Sequence, residues 1–575
     1  MSSSPRRSTH SSLEALEARI APATVTATLA SGVLKISALS PGTATILAVT
    51  AIDPDSFIVS DGPTPLGQFD GVHSVKITLS DQADTLNFFT GATFRGPVSV
   101  SAGNGADFIS FGSTSTAGIA GDVTVTAKGA ASVGVQNAGH ITGIFSVATG
   151  TGGTAAVVSQ GSVGALSTTG VSTIILDQSA DIAGNVHIVA PDDGVTVTAA
   201  ATIEGSLFVK GSVNPAKLDT VHLNGKIHGA VSLVFGEGGS VVDVQDTNNF
   251  YLGDSLTISG KSGPDTVNLH LSSNGGFFNP AIAGAVKISL GDGANSVSID
   301  GAGRISGGVR VIGGAANDSL TLTNVFVGGV TRFDLGAGTN GATVTGTNLL
   351  GGLVVTSGAG DDTVNLNSPN SIGGPAKFSL GDGTNNLGLV VTSFDGGLTV
   401  TGGIGTDNVT LGGSIVRGKA TFSLGEGNNQ VTASSVTFRT NFTYVGTKAG
   451  NDTVNVDANS ILSGTFTMNA GDGNNLLVMS TLGNLSTLSY KGGVGIDTVA
   501  IFPGGGPSGS NPAAGQYIRG KVVLGDGNDQ AFLTNSAFLT FSFDGGAGND
   551  TMNHSAAALA SGPTEKNFET TNVVP

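Results

Sequence analysis

Cysteine and tryptophan are absent from the chain, tyrosine occurs four times, and charged residues fill only 11% of the 575 positions. Without cysteine there are no disulfides, no thiolate nucleophile and no Cys-based zinc or iron–sulfur site. So few Trp and Tyr leave little material for the aromatic platforms on which sugars usually stack. No run of about 18 apolar residues occurs, so no segment reads as a membrane-spanning helix. Short strands without aromatic girdles disfavour an outer-membrane barrel. Lys and Arg number 24 against 41 Asp and Glu, a net charge of −17. That balance disfavours nucleic acid, whose phosphates need clustered cations, and anionic membrane surfaces as well.

Glycine is what the chain has in excess: 91 residues, against roughly 7% of positions in an average protein. There is no G-X-Y period, so this is not collagen. A hydrophobic fraction of 39% is too high for a disordered tail. The glycines mark a repeat. One series of turns is Gly-Asp-Gly in type, starting at Gly291, Gly336, Gly381, Gly425, Gly471 and Gly525, in steps of 45, 45, 44, 46 and 54. A second is Gly-x-Gly-x-Asp, with its final Asp at 265, 318, 362, 407, 452, 497 and 550. The two interleave, so the fundamental step is 22 or 23 residues and the 45-residue unit is a pair.

Period-2 alternation flanks each turn, as in Ala285-Val286-Lys287-Ile288-Ser289-Leu290 and Asp362-Thr363-Val364-Asn365-Leu366. Such runs are short strands with one buried face. Gly supplies the positive φ of a sharp corner, and Asp or Asn bonds back to nearby backbone. One such unit cannot bury its apolar face, but a stack of them can. The fold expected is all-β: a single parallel β-helix (β-solenoid) over residues 23–575, with insertions near 272–281 and 502–517. From residue 80 to 550 there is room for about 21 coils, which at about 4.8 Å each make a rod on the order of 100 Å long. Phe333, Phe378, Phe422 and Phe466, stepping 45, 44 and 44, are expected to stack inside it on every second coil.

Residues 1–22 differ. Ser11-Ser12-Leu13-Glu14 is a capping-box pattern, and Leu13, Leu16 and Ile20 follow at helical spacing up to Pro22, which predicts a short amphipathic helix. The segment lacks the apolar core of a secretory signal. Leu13-Glu14-Ala15-Leu16-Glu17-Ala18-Arg19-Ile20-Ala21-Pro22 resembles the LExLExRxxP segment near the start of large repeat-rich proteins of planctomycete-type bacteria. The resemblance implies export to the cell surface or the extracellular space. The alternative is a helix that caps the open edge of the first coil.

The Gly-x-Gly-x-Asp corners, above all Gly545-Gly546-Ala547-Gly548-Asn549-Asp550 and Gly402-Gly403-Ile404-Gly405-Thr406-Asp407, resemble the calcium-binding nonapeptides of repeat-in-toxin proteins. That resemblance implies calcium as a cofactor, with Asp362, Asp407, Asp452, Asp497 and Asp550, and on the Gly-Asp-Gly corners Asp382, Asp472 and Asp526, as candidate metal ligands. In that family the motifs run in tandem. Here they recur once per coil, and the Asp reads as shifted between alternate coils, a departure from the shared-ion geometry. The competing reading makes these side chains hydrogen-bond acceptors for backbone N–H groups.

A dinucleotide fingerprint is excluded because strands, not helices, follow the glycines. A carbohydrate-active β-helix enzyme, lyase or hydrolase, is the alternative function, and it needs paired carboxylates or a basic residue in a groove. The eight His are dispersed, and the nearest pair, His222 and His228, reads as solvated. No catalytic residue is assigned. The function expected is a non-catalytic, exported structural or adhesive β-solenoid. Cell-surface or matrix components, or other copies of the chain, are its expected partners.

Overall fold

Each apolar face is only two or three side chains long, so a strand here is stable only when another strand lies on each side of it. The computed structural model describes residues 25–38, 44–114, 116–127, 132–150, 154–245, 250–272, 281–447, 450–481, 484–502, 518–534, 539–555 and 564–574. Over these residues the chain is a parallel β-solenoid of about 20 turns with roughly 22 residues per turn. No helix occurs among the described residues, and none therefore is long and apolar enough to cross a membrane. The leader and helix expected over 1–22 lie outside the described residues. So do the expected insertions, apart from Ser272, Ala281 and Phe502 at their ends.

One coil shows the plan. Strand Asp407–Gly412 turns at Gly413 into the two-residue strand Ile415–Val416, and a second turn leads to Ala420–Ser423. A corner from Leu424 to Asn429 then opens the next coil at Gln430–Ser434. Each strand of this coil pairs in parallel with its counterpart one coil on: Val409 with Val431, Val416 with Phe438, Phe422 with Tyr444. The stack makes two long sheets. Sheet I contains Asp407–Gly412 and its equivalents; sheet II contains Ala420–Ser423, the short strands and their equivalents. Val409, Leu411, Val416, Phe422 and Leu424 point inward and are fully buried.

Aromatic packing inside the rod is less regular than the 45-residue spacing implies. Phe333, Phe378 and Phe422 do share one inward line, but Val355 and Val400 separate them in register. Phe466 lies on a neighbouring line, in register with Phe442. The closest stacked rings are accordingly Phe442 and Phe466, 4.8 Å apart and 3° from parallel. Equal spacing in sequence failed here because Tyr444 and Met468, not Phe466, continue the line of Phe422.

At the N-terminal end antiparallel strands cover the first coil. Val25–Ala30 pairs with Val33–Ala38 at the edge of sheet II. Beside sheet I, Ile46–Asp53, Ser56–Asp61 and Thr64–Asp70 form a meander. Its outermost strand carries Pro65 beside a register shift. Proline has no N–H to offer, which blunts that edge against further pairing.

Candidate functional site

The corner that leads into sheet I places one side chain per coil inside the wall. Register pairs Asp265 with Asn295, and the same position continues through Asp318, Asn340, Asp362, Asn385, Asp407, Asn429, Asp452, Asn475, Asp497, Asp529 and Asp550. All of them are buried. Five of the eight predicted metal ligands, Asp362, Asp407, Asp452, Asp497 and Asp550, therefore lie on one line. On the alternate coils between Asp265 and Asp497 the Asp does not shift along the corner; an Asn replaces it.

The line is held by hydrogen bonds between coils. The backbone N–H of each member but Asn385 donates to the side-chain oxygen of the next, as from Asn340 to Asp362 at 2.8 Å, Asp362 to Asn385 at 3.0 Å, Asp407 to Asn429 at 3.0 Å and Asp452 to Asn475 at 3.0 Å; the Asn385 N–H goes to the Thr406 carbonyl at 3.0 Å. Each of three Asn residues also donates from Nδ2 to the following Asp: Asn385 to Asp407 at 2.9 Å, Asn429 to Asp452 at 3.2 Å, Asn475 to Asp497 at 2.9 Å. Near the N-terminus the same device recurs as Asp84 and Asp107, joined at 2.9 Å, with Thr45 ahead of them. Val133, Ala155, Ser172 and Val195 stand on the line between Asp107 and Asp219, so the run of carboxylate and amide side chains lapses there.

This geometry explains the glycines. Five residues before Asp265, Asp318, Asp407, Asp497 and Asp550 stands a Gly whose Cβ, if present, would overlap that Asp's Oδ2; Ser357 takes that place before Asp362, and before Asp452 the Gly is Gly446, six residues earlier. Five residues before an Asn stands an apolar side chain, Leu380 before Asn385 and Leu424 before Asn429, both buried. The third glycine of the Asp-type corner has positive φ, 136° at Gly405, where a Cβ would be strained.

Burial raises the carboxyl pKa along the column. Asp107, Asp265, Asp407, Asp497 and Asp529 are each pushed up to about 6, with desolvation the largest cause. Asp219, Asp318, Asp362, Asp452 and Asp550 are raised for the same reason. The Oδ2 atoms of Asp265, Asp529 and Asp550 are buried with no hydrogen-bond partner.

The other three predicted ligands form a different, outer row. Asp382 Oδ1 accepts the N–H of Ile404 at 2.8 Å and Asp472 Oδ1 that of Val494 at 3.0 Å. Asp526 is exposed, and its backbone pairs with Gly493 and Gly495. In this row the side chain caps an N–H of the coil after it, opposite in sense to the inner column. Among the described residues no group of three or more His, Asp or Glu is placed to hold a metal ion.

His222 and His228 are on different sheets and do not face each other. His222 pairs with Asp243 on the next coil at 3.6 Å, and His228 with Glu204 on the coil before it at 2.7 Å. The Asn members of the column are what sequence reasoning missed. Their signal was present: Asn340, Asn385, Asn429 and Asn475 fall midway between successive column Asp residues, and Asn295 stands one 23-residue step before Asp318.

What this corner defines is a class, a parallel β-solenoid whose coils are tied by a buried Asp/Asn column. No family model matches the chain, and no curated protein does. Among solved structures it is similar to the Haemophilus influenzae Hap adhesin, at 10% identity and a TM-score of 0.28, over 90% of this chain and 65% of that one. The chain thus spans about two thirds of the adhesin's length.

Proposed function

We propose that the chain is a non-catalytic, exported β-solenoid with a structural or adhesive role at a bacterial cell surface or in an extracellular matrix. The observation that supports this reading is the use made of its acidic side chains. The carboxylates of the Gly-x-Gly-x-Asp motif are turned into the wall, where they accept N–H groups from the adjoining coil, and Asp382 and Asp472 of the outer row accept N–H groups too. They enter this reading as ties between coils rather than as calcium ligands or general acids. What a partner meets is then the outward face of the sheets, repeated coil after coil, and its expected class is a cell-surface or matrix component.

Protease shaving of intact cells that express the chain, read with an antibody against the solenoid, tests this. Release of solenoid fragments from unbroken cells is expected. Detection only after lysis would remove the surface role.

A further inference from the structure

Strand alternation sends every second side chain outward, and parallel register stacks those positions into lines along the rod. One line on sheet II can be followed coil by coil from Lys35 through Lys76, Thr124, His187, Lys287 and Thr443 to Thr564. It has 23 positions; 7 of them are Lys or Arg, 13 are Ser or Thr, and none is Asp or Glu. The whole chain has 24 Lys and Arg in 575 residues and a net charge of −17, so the line gathers cations on an otherwise acidic molecule.

The cations concentrate at the centre, where Lys287, Arg310, Arg332 and Lys377 occupy four of five consecutive coils. All four are exposed. Arg304 lies on the same sheet with its guanidinium 4.9 Å from the centre of the Phe326 ring. Between residues 281 and 380 the one carboxylate on the strands of sheet II is Asp334, which Arg310 and Arg332 share at 3.1 and 2.7 Å. Lys287 and Lys377 have no ion-pair partner among the described residues.

We propose that this stretch, Lys287 to Lys377, is a track for an extended acidic polysaccharide bearing carboxylates. Three features select that occupant. The cations are in single file along the rod, so they match a linear polymer rather than a globular patch. Their pitch, about 4.8 Å per coil, is close to the length of one sugar in an extended chain. The line continues beyond Lys377 as Thr399, Thr421, Thr443 and Thr467, hydroxyls suited to sugar hydroxyls. A nucleic-acid duplex, with one charge per about 1.7 Å, brings nearly three charges per coil and leaves most of them unmatched by a line with at most one cation per coil. The proposal rests on the surface role above and names the partner class for it.

The test uses the purified full chain with three probes: polygalacturonate, neutral dextran and a DNA duplex. Polygalacturonate is expected to bind, dextran not to, and the binding to weaken as salt rises. Lys287→Gln with Lys377→Gln is expected to weaken it roughly 25-fold, about fivefold per cation. Lys287→Arg with Lys377→Arg keeps the charge and is expected to bind as the native chain does. Lys226→Gln with Arg439→Gln removes two exposed cations off the line and is expected to change affinity less than about twofold. Equal loss in that control, equal binding of dextran, or preference for DNA would overturn the track. A chain shed from intact cells that binds none of the probes would sink the track and leave the surface role standing. A chain that binds polygalacturonate but is never exposed on cells would do the reverse.

Discussion

Asp529→Asn probes the corner column at the point where its alternation stops. From Asp265 to Asp497 every Asp has Asn as its neighbour, but Asp497, Asp529 and Asp550 follow one another, and Asp550 hands its N–H to Glu569 at 2.6 Å. Leu524 stands five residues before Asp529, the arrangement that elsewhere accompanies Asn. Asn at 529 keeps the acceptor for the Asp497 N–H, now 2.7 Å from Asp529 Oδ1. It also replaces an Oδ2 that has no partner with an amide. By analogy with Asn475, whose Nδ2 reaches the Gly473 carbonyl at 3.2 Å and Asp497 Oδ1 at 2.9 Å, that amide finds acceptors in its own turn and on Asp550.

The magnitude follows from the proton balance. In the folded chain Asp529 has a pKa raised to about 6, by burial first and then by Asp550 and Asp526, against about 3.9 when unfolded. Above pH 6 the folded state carries a charge that burial penalises, by up to about 3 kcal/mol. Between pH 6 and 4 the folded state takes up a proton that the unfolded state does not, so native stability rises as pH falls. Below pH 4 both states are protonated and the penalty is gone. Asn removes the penalty, so it should stabilise the C-terminal coils at pH 7.5 by roughly 1–3 kcal/mol and by far less near pH 4. A stacked repeat need not unfold as one unit, so the measurement is hydrogen exchange at the Asn475, Asp497 and Asp529 amides, variant against native at each pH. Protection should increase roughly tenfold or more at pH 7.5. A loss of protection there, or an equal gain at both pH values, would refute the reasoning.

The converse change, Asn385→Asp, places a carboxylate between Asp362 and Asp407 and removes the Nδ2 bond of 2.9 Å to Asp407. It should lower stability by about 2 kcal/mol at pH 7.5 and recover on acidification, as denaturant melts at the two pH values will show. Gly402→Ala drives a Cβ into Asp407 Oδ2 and the Leu424 carbonyl, whereas at Gly341 a Cβ meets nothing within 4 Å. Thermal melts should find the first destabilised by about 2 kcal/mol or more and Gly341→Ala neutral or slightly stabilised. A melt in millimolar calcium and in chelator should give the same midpoint, since the inner carboxylates already hold N–H donors. Saturating ligation of several corners would instead add about 2.7 kcal/mol per site at 100 times the dissociation constant, and such a rise would return the corner Asp residues to the role of ligands.

The coil was legible because its period is written in glycine: steps of 22 and 23 residues lead directly to strand, corner and stack. The side of the wall on which a corner residue sits was not. Asp407 and Asp382 both stand in glycine-rich turns, yet one is fully buried and the other exposed. Turn chemistry treats them alike, and only the register of Asn385 against Asp407 separates them. Phe466 was misplaced for a related cause, since distance along the chain does not fix the line on which a side chain falls. The cationic line was invisible for the same reason: Lys287, Arg310, Arg332 and Lys377 are neighbours only once the strands are in register.

The 45-residue unit, twice the structural repeat, has an electrostatic origin in this column. Were every corner Asp, carboxylates would recur at the coil spacing of about 4.8 Å, and two charges at that distance repel by about 3.5 kcal/mol at an effective dielectric constant of 20. Alternation with Asn doubles the spacing and halves the repulsion to about 1.7 kcal/mol. It also gives three of the Asp residues an amide donor on the coil before, as Asn385, Asn429 and Asn475 do for Asp407, Asp452 and Asp497. The rest of the pairing follows sterically. An Asp whose second oxygen turns toward its own corner is preceded five residues earlier by a small residue, Gly402 before Asp407 or Ser357 before Asp362, whereas an Asn leaves room there for leucine. Gly-Gly-x-Gly-x-Asp and Leu-Gly-Asp-Gly-x-Asn are thus two solutions for one corner, and each makes the other tolerable as its neighbour. Where Asn gives way to Asp529 the leucine context persists and the charge does not alternate, so that corner is the place where the rule can be broken or restored with a single side chain.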